Sequence, residues 1–241
     1  MMRPRVLIPH ALGSNRDADL ADAFRLAGAE PETVPMADLR LGGHRLCDYQ
    51  ILAIPGGFSY GDALGAGRLL GLDLIGWFGD QLREAVAAGK PVFGVCNGFQ
   101  ALVRTGLLPG ESTPSTLAEN ASERFECRWV TLQPSPASVW TAELTEPLRC
   151  PVAHGEGRFV SGDLHQLTQR GGVVLRYEAG GYPKNPNGSA GDVAGVTDAT
   201  GMILGLMPHP ENHIYDWQDP LRGRAPSGNC LPLFEAGVRA A

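Results

Sequence analysis

Short apolar runs alternate along the first half of the chain with longer segments whose apolar residues recur every three or four positions. Runs of strand length lie at residues 5–9, 32–34, 49–54 and 91–95, and the periodic segments are 18–29 and 69–88. Glycine-containing turns separate these segments. Strands that alternate with helices are typical of a parallel sheet with helices on both faces. We therefore predict an α/β fold with a mostly parallel central sheet.

The second half of the chain follows a different pattern. Residues 106–119 are rich in Pro, Ser and Thr, which predicts an exposed connection. Further strands are predicted at residues 125–132, 152–159 (with an embedded turn), 172–177, 192–197 and 202–206. Turn-forming residues predict a loop at 182–191, an irregular segment follows at 217–228, and 231–241 predicts a closing helix. Because no repeat or flexible linker interrupts the chain, we predict a single domain over residues 1–241.

Cys96 stands at the end of an apolar run, with Gly94 and Gly98 two residues away on either side. This Gly-x-Cys-x-Gly pattern is the cysteine counterpart of the strand–turn–helix elbow that presents a nucleophilic serine. Glycines permit a strained turn, and a sulfur at the start of the helix predicted at 97–104 is stabilised as a thiolate by the helix dipole. The alternative is an inert buried cysteine, which is the commoner fate of a lone cysteine.

A cysteine nucleophile needs a base and a group that orients the base. Among the six histidines, His209 follows an apolar run and lies between two prolines, which hold the backbone extended. Residues two apart in an extended segment point to the same side, so Glu211 is placed beside the His209 ring. We therefore predict a triad of Cys96, His209 and Glu211. For the histidine segment alone, a loop histidine beside an unrelated carboxylate is the alternative.

Amide cleavage also requires N–H donors for the developing oxyanion. The backbone amide of Asn97, directly after the nucleophile, is the first candidate. Gly57 is the second, because it follows a predicted strand and glycine lets a backbone amide approach closely. A plain turn is the alternative for Gly57. Gln100, one helical turn beyond Cys96, is a candidate substrate contact, with a helix-surface position as its alternative.

Composition narrows the partners and the compartment. The formal net charge of −6 argues against nucleic acid as the main partner, and no apolar run reaches the length of a membrane span. The start of the chain has too short an apolar stretch for a signal peptide. The five cysteines are scattered without C-x-x-C spacing, so neither a disulfide framework nor a zinc site is expected. We expect a cytoplasmic protein that binds no membrane, nucleic acid or metal.

Several motifs carry a family resemblance. Three resemble the signature regions of class I glutamine amidotransferases: Pro55-Gly56-Gly57, Gly94-Val95-Cys96-Asn97-Gly98-Phe99-Gln100 and Pro208-His209-Pro210-Glu211. Three more are similar to the glutaminase subunits of phosphoribosylformylglycinamidine synthases, at residues 57–62, 154–159 and 185–189. The likeness covers nearly the whole chain and implies the flavodoxin-like α/β fold of that family. The chain departs from the family at Arg16, where a cysteine is usual, and matches it less clearly over 217–230.

The resemblance implies an enzyme that hydrolyses L-glutamine and passes ammonia to a synthetase subunit. That partner would use ATP and Mg²⁺ to convert formylglycinamide ribonucleotide to formylglycinamidine ribonucleotide in purine biosynthesis. A small third subunit would bridge the two, and this chain would need no cofactor. The resemblance implies that Cys96 forms the thioester, His209 transfers protons and Glu211 orients the His209 ring. It further implies that Gly57 and Asn97 form the oxyanion hole and that Gln100 binds glutamine. His154 and Glu156 would face the partner.

Two other functions are alternatives to this one. A stand-alone cysteine hydrolase of the same fold, acting on peptides or folyl substrates, would need no partner; the purine-type motifs disfavour it. A catalytically silent subunit that only scaffolds a complex is the second alternative. The complete triad disfavours that function, because a scaffold needs no thiolate beside an oxyanion hole.

Overall fold

The structure is a computed structural model, and it describes residues 3–110, 112–221 and 228–241. Its strands are β1 (Arg5–His10), β2 (Glu30–Pro35), β3 (Ile51–Ile54), β4 (Val92–Val95), β5 (Ser115–Ala118), β6 (Glu126–Pro134), β7 (Leu148–His154), β8 (Arg158–Ser161), β9 (Val173–Tyr177), β10 (Val193–Thr197) and β11 (Ile203–Leu206). Its α-helices are α1 (Asp17–Leu26), α2 (Met36–Arg40), α3 (Arg68–Ala87), α4 (Asn97–Arg104), α5 (Leu164–Gln169) and α6 (Leu231–Arg239).

One sheet of nine strands organises the fold, in the order β2-β1-β3-β4-β11-β10-β9-β6-β7. The strands from β2 to β11 in this order pair in parallel, and the remaining four continue the sheet in antiparallel pairs. β5 and β8 form a separate two-stranded sheet. Every residue of β3, β4 and β11 is buried, which explains why these strands are continuous apolar runs in the sequence.

The three central parallel strands place the candidate motifs together. β3, β4 and β11 are neighbours that run in the same direction, so their carboxyl ends meet at one edge of the sheet. The chain leaves these strands at Pro55, Cys96 and Met207, where the three amidotransferase-like motifs lie. In α/β sheets this edge is the usual location of binding sites.

Aromatic packing fixes the helices that close the core. α1 contacts α6, and α3 contacts α4. Phe24 of α1 and Phe234 of α6 pack edge to face at 5.3 Å between ring centroids, and Phe93 of β4 and Trp140 lie within 5.1 Å of each other beside them. All four side chains are fully buried. Edge-to-face geometry adds about 0.5–1.5 kcal/mol per pair to the burial of such rings.

The predicted fold class is confirmed, and α4 coincides with the helix predicted at 97–104. One local prediction is wrong. Residues 106–119 are not simply an exposed connection, because they contain β5, in which Leu117 is buried. The embedded turn predicted within 152–159 is confirmed, because β7 ends at His154 and β8 begins at Arg158.

Some features were not predicted or fall outside the described chain. The helices α2 and α5, which are only 5 and 6 residues long, were not predicted. Of the segment 217–228, residues 222–227 lie outside the described residues, as do the first two residues of the chain. Within the described ranges, no helix is long and apolar enough to cross a bilayer. The prediction of a single domain stays a prediction.

Candidate active site

Cys96 occupies a sharp turn between β4 and α4. Its backbone has φ 51° and ψ −106°, in a region that residues with a side chain rarely adopt. Its amide donates to Leu206 O at 2.8 Å, and its carbonyl accepts from Gln100 N at 3.0 Å. The turn is therefore tied to β11 on one side and to the first turn of α4 on the other. This geometry confirms the predicted strand–turn–helix elbow.

The two glycines of the elbow serve a purpose other than the one predicted. The positive φ belongs to Cys96 itself, and not to Gly94 or Gly98. A Cβ atom at Gly98 would lie 2.2 Å from Ile54 O, and one at Gly94 would lie 2.5 Å from a methyl carbon of Leu102. The glycines are therefore required for close packing of α4 against β3 and β4, and this packing holds the strained cysteine in place.

His209 and Glu211 follow β11 and form a direct pair. His209 Nδ1 lies 2.7 Å from Glu211 Oε1, and both side chains are almost completely buried. The backbone amide of His209 donates to Pro151 O at 2.8 Å, which fixes the segment against β7. With Nδ1 bound to a carboxylate, the proton on that nitrogen is fixed and Nε2 is the nitrogen available for proton transfer.

The charge of the pair is set by its buried surroundings. Burial lowers the pKa of His209, but the Glu211 carboxylate and the Cys96 sulfur outweigh burial and raise this pKa to about 10. The ring is therefore an imidazolium at neutral pH. The thiolate is the nucleophilic form of a cysteine, and an adjacent cation is one of the features that activate cysteine nucleophiles.

Gly56 marks the point where the ring and the nucleophile meet. A Cβ atom at this position would lie 2.9 Å from His209 Cε1 and 3.5 Å from Cys96 Cβ. The predicted triad is thus brought together from β4 and β11, with no side chain between its cysteine and its histidine.

Gly57 and Asn97 offer backbone N–H groups at the same place. Neither amide donates to another backbone or side-chain group within the described residues. Gly57 has φ 136°, and a Cβ atom there would lie 2.7 Å from Asn15 N. The loop after β3 is held close by the first loop of the chain, since Phe58 N donates to Gly13 O at 3.0 Å. Arg16 does not disturb the contact between these two loops, because its side chain pairs with Asp19.

The Asn97 side chain connects the loop after β3 to α4. Its Oδ1 accepts from Ser59 Oγ at 2.5 Å and from Ser59 N at 3.2 Å. Its Nδ2 donates to Asp62 Oδ1 at 3.0 Å and to Gln100 Oε1 at 3.1 Å. The two candidate oxyanion donors are therefore coupled through one buried amide.

A cavity of about 140 Å³ opens beside the nucleophile. Cys96 and Gly57 lie on its lining, and so do the carboxylate residues Asp62 and Glu156. Burial, and then the charge of Glu156, raise the pKa of Asp62. The cavity thus combines the elbow cysteine, one of the two candidate oxyanion donors and two carboxylate residues.

Gln100 and Glu156 bound this cavity together. Gln100 Nε2 donates to Glu156 O at 2.6 Å, and Glu156 Oε2 accepts from Ala66 N at 3.2 Å. Gln100 is buried, so the alternative of a helix-surface position is wrong. Its amide is occupied by the backbone and braces the cavity wall; direct contact with glutamine stays a prediction.

The His154 ring is buried within this chain. Its side chain is 3% exposed and its ring packs against Gly157, where a Cβ atom would lie 2.1 Å from His154 Cδ2. A partner-facing position for this segment stays a prediction. Glu156 is half-buried on the cavity lining.

Comparison with known families decides the class of this site. Residues 3–239 match the family of CobB/CobQ-like glutamine amidotransferase domains. The chain belongs to this family of glutamine amidotransferases. The match spans the elbow, the loop after β3 and the His-x-Glu segment, so the family extends over every part of the site.

Curated relatives support a narrower similarity. A protein of Treponema denticola, named phosphoribosylformylglycinamidine synthase subunit PurQ, is 45% identical, and the alignment covers 98% of each chain. A protein of Dehalococcoides mccartyi with the same name is 40% identical, over 99% of this chain and 98% of the relative.

Solved structures agree with the fold. A chain of the structure titled PurLQS from Thermotoga maritima is 33% identical, with a TM-score of 0.79 and coverage of 99% of both chains. A glutamine amidotransferase from Thermotoga maritima, 17% identical with a TM-score of 0.56, covers 90% of this chain and 80% of its own. At that identity the second likeness shows the fold alone.

Several buried or half-buried polar residues around the site were not predicted from the sequence. Ser59 and Asp62 hold Asn97, while Asn120 and Asn187 hold the segment after β7. Three of these, Ser59, Asp62 and Asn187, lie in family-like motifs, which was the available signal. Asn120 lies in no quoted motif, and its role follows only from tertiary contacts.

Proposed function

We propose that this protein is the glutamine-hydrolysing subunit of a phosphoribosylformylglycinamidine synthase, in purine biosynthesis. The observation that carries the proposal is the elbow cysteine facing a buried His–Glu pair at the mouth of a cavity with a carboxylate-lined end. L-glutamine fits this arrangement, because its side-chain amide would meet Cys96 while its α-ammonium group would meet Asp62 and Glu156. The full-length similarity to the PurQ relatives supports the choice of synthase.

The first half of the reaction follows from the charges of the triad. The Cys96 thiolate attacks the side-chain carbonyl carbon of glutamine, and the oxygen takes up negative charge. The amides of Gly57 and Asn97 would donate to that oxygen. His209 then donates its Nε2 proton to the nitrogen, the C–N bond breaks and ammonia leaves. The γ-glutamyl group remains on Cys96 as a thioester.

The second half returns the site to its starting charges. Neutral His209 takes a proton from water as the oxygen attacks the thioester carbon. The C–S bond breaks, glutamate leaves, and the thiolate–imidazolium pair is restored. Glu211 holds the ring and stabilises its charge in both halves.

The ammonia must reach an acceptor in another subunit. The structure titled PurLQS supports a complex of this kind for its own chains, and we propose a synthetase and a small bridging subunit as partners here. ATP and Mg²⁺ would bind to the synthetase, so ligase activity belongs to the complex. We further propose that this subunit needs no cofactor and acts in the cytoplasm. The cavity beside Cys96 is lined by the half-exposed rings of Phe58 and Phe125, which stack on each other at its mouth.

We also propose that partner docking controls the loop after β3. Tyr60, Asp62 and Leu64 all have positive φ between 53° and 66°, which stores backbone strain next to the oxyanion donors. Docking would then order the segment 56–62 and raise activity. Glutaminase rates of the isolated subunit and of the complex should differ by at least about tenfold, since strain of 1–3 kcal/mol is involved. Equal rates would contradict this gating.

The test of the function is ammonia release from glutamine by the complex with its synthetase. We expect Cys96→Ala to abolish release, while the matched variant Cys127→Ala, at an exposed cysteine outside the site, retains it. A glutamine-analogue chloroketone should label wild type at Cys96. If the Cys96→Ala complex releases as much ammonia as wild type, the proposal fails. Fast turnover of peptide or folyl substrates without a partner would instead favour a stand-alone hydrolase.

A further inference from the structure

A second buried polar cluster lies directly behind the cavity wall. It is formed by His154 at the end of β7, Tyr177 at the end of β9, and Asn187 in the loop that follows β9. These side chains are between 0% and 3% exposed. No step of the proposed reaction uses them, although burying such groups costs free energy unless they are satisfied.

Asn187 has its amide orientation fixed by Ser189. Its Oδ1 accepts from Ser189 N at 3.0 Å and from Ser189 Oγ at 2.7 Å. Ser189 Oγ itself accepts from Phe159 N at 2.9 Å, so its hydroxyl proton is directed at Asn187. The Nδ2 group must therefore face the other way, where it lies 2.8 Å from Gly157 O, 3.0 Å from the Tyr177 hydroxyl oxygen and 3.1 Å from His154 Nε2.

This orientation determines where His154 carries its proton. An amide NH₂ group is only a donor, so the Nε2 atom that faces it must be the unprotonated acceptor nitrogen of the ring. Within the described residues, His154 Nδ1 has no hydrogen-bond partner. Asn187 is thus the side chain that decides the tautomer, with the proton on Nδ1.

The His154 ring is also neutral. Burial, and then the charge of His209, lower the pKa of His154 to about 3. Other titratable groups lie around it. Tyr177 is one, and Glu126 on the paired strand β6 forms an ion pair with Arg128 at 2.6 Å. Cys96, Asp62 and Glu156 line the same cavity as His154. Burial raises the pKa of Tyr177, so its hydroxyl stays neutral.

The cavity wall does not depend on Asn187 alone. Asn120 Nδ2 donates to His154 O at 2.8 Å, Asn120 N donates to Gly155 O at 2.8 Å, and Asn120 Oδ1 accepts from Gly157 N at 3.0 Å. Because Asn120 braces the wall, the distinct contribution of Asn187 is its contact with the His154 ring.

We propose that Asn187 is a positioning residue for glutamine cleavage: it holds His154 as the neutral Nδ1–H tautomer and so keeps the positive charge of the site on His209. This inference rests on the proposed function. A second cation at His154 would repel the imidazolium of His209, and His209 would lose its proton before the amide nitrogen needed it. A donor amide that faces Nε2 disfavours protonation of this nitrogen, whereas a carboxylate in the same place would favour it.

The test replaces that donor with a carboxylate. Asn187→Asp should lower kcat for glutamine hydrolysis by the complex at least about 30-fold, because the new carboxylate would lie beside His154 Nε2, which Asn187 Nδ2 now contacts at 3.1 Å, and would favour a proton on that ring. KM should change less than about threefold, since Asn120 still holds the wall. Asn185→Asp is the matched control, because Asn185 is a buried asparagine of the same loop whose bonds go to residues 188–192. It should keep kcat within about threefold.

Rescue separates charge from structure. His154→Gln supplies an amide that cannot be charged and whose NH₂ group can donate to the carboxylate, so the Asn187→Asp/His154→Gln double variant should recover most of the lost kcat. Additive losses in this double-mutant cycle would overturn the proposal, and so would equal losses in Asn187→Asp and Asn185→Asp.

A further measurement reads the tautomer of His154 directly in the wild-type protein. The ¹⁵N spectrum of labelled histidines should show one ring, absent from His154→Gln, that is protonated at Nδ1 and unprotonated at Nε2 across neutral pH. A proton on Nε2 would overturn the proposal. This result is independent of Cys96→Ala, which tests the proposed function in the same preparations.

Discussion

Replacing Glu211 with glutamine isolates the charge that holds His209 protonated. The pair lies 2.7 Å apart and is buried, and the carboxylate is the largest influence that raises the pKa of His209 to about 10. The Glu211→Gln amide oxygen can still accept from Nδ1, so the tautomer should survive while the charge is lost. Two unit charges about 4 Å apart interact by about 4 kcal/mol near a protein surface, and one pKa unit corresponds to about 1.4 kcal/mol. The pKa of His209 should therefore fall by about 2–3 units.

The sign of the effect on activity follows from the imidazolium. Its pKa is raised in the native protein, so the ring is charged at neutral pH and loses its proton as pH rises through about 10. Wild-type activity should decline on that basic side, because ammonia departure needs a proton from the ring. In Glu211→Gln the decline should begin at a pH about 2–3 units lower. Loss of the ring proton should then lower kcat by at most about twofold at pH 7 but by roughly 10- to 100-fold at pH 9.

The assay is the pH profile of kcat for glutamine hydrolysis by the complex. Asp219→Asn is the matched control: Asp219 is another buried carboxylate, paired with Arg149 at 3.2 Å and not with His209. The control should keep the basic limb of wild type. An unmoved basic limb in Glu211→Gln would refute the assignment of the imidazolium charge to this pair.

Three further changes test the geometry of the site. Gly56→Ala places a methyl group about 2.9 Å from the His209 ring. It should lower kcat at least tenfold in a kinetic assay, with little change in the midpoint of a thermal melting curve. Gly98→Ala forces α4 away from Ile54 O and should destabilise the fold by about 1–3 kcal/mol in urea unfolding; an unchanged midpoint would contradict the packing argument. Glu156→Gln removes one carboxylate from the cavity lining and should raise KM for glutamine roughly tenfold, with a smaller change in kcat. An unchanged KM would show that Glu156 does not bind the ammonium group.

The catalytic side chains were predictable because local sequence fixes their geometry. An apolar run of strand length, a glycine at each side and a helix-compatible segment were enough to place Cys96 on an elbow. The spacing of His209 and Glu211 in a proline-stiffened segment placed one beside the other. Each inference needed only a few consecutive residues.

The cavity wall was not predictable in the same way. His154 was expected near a partner, but its environment depends on Asn187 and on Tyr177, which lie at distant positions in the chain. The pairing of β5 with β8, which replaced a predicted exposed connection, is a contact of the same long-range kind. No local pattern encodes these pairings, because they depend on how the antiparallel strands close over the parallel ones.

The order of strands in the main sheet determines which side of the pocket each group of residues lies on. Bond-breaking groups come from the loops after β3, β4 and β11, while the facing wall follows β7 at the far antiparallel edge. Changes in the β7–β8 turn can therefore reshape what the pocket admits without disturbing the strained cysteine. In a glutaminase built this way, the parallel half of the sheet contributes the groups that break the amide bond, while the antiparallel half contributes both the fit to the substrate and the buried ring of His154.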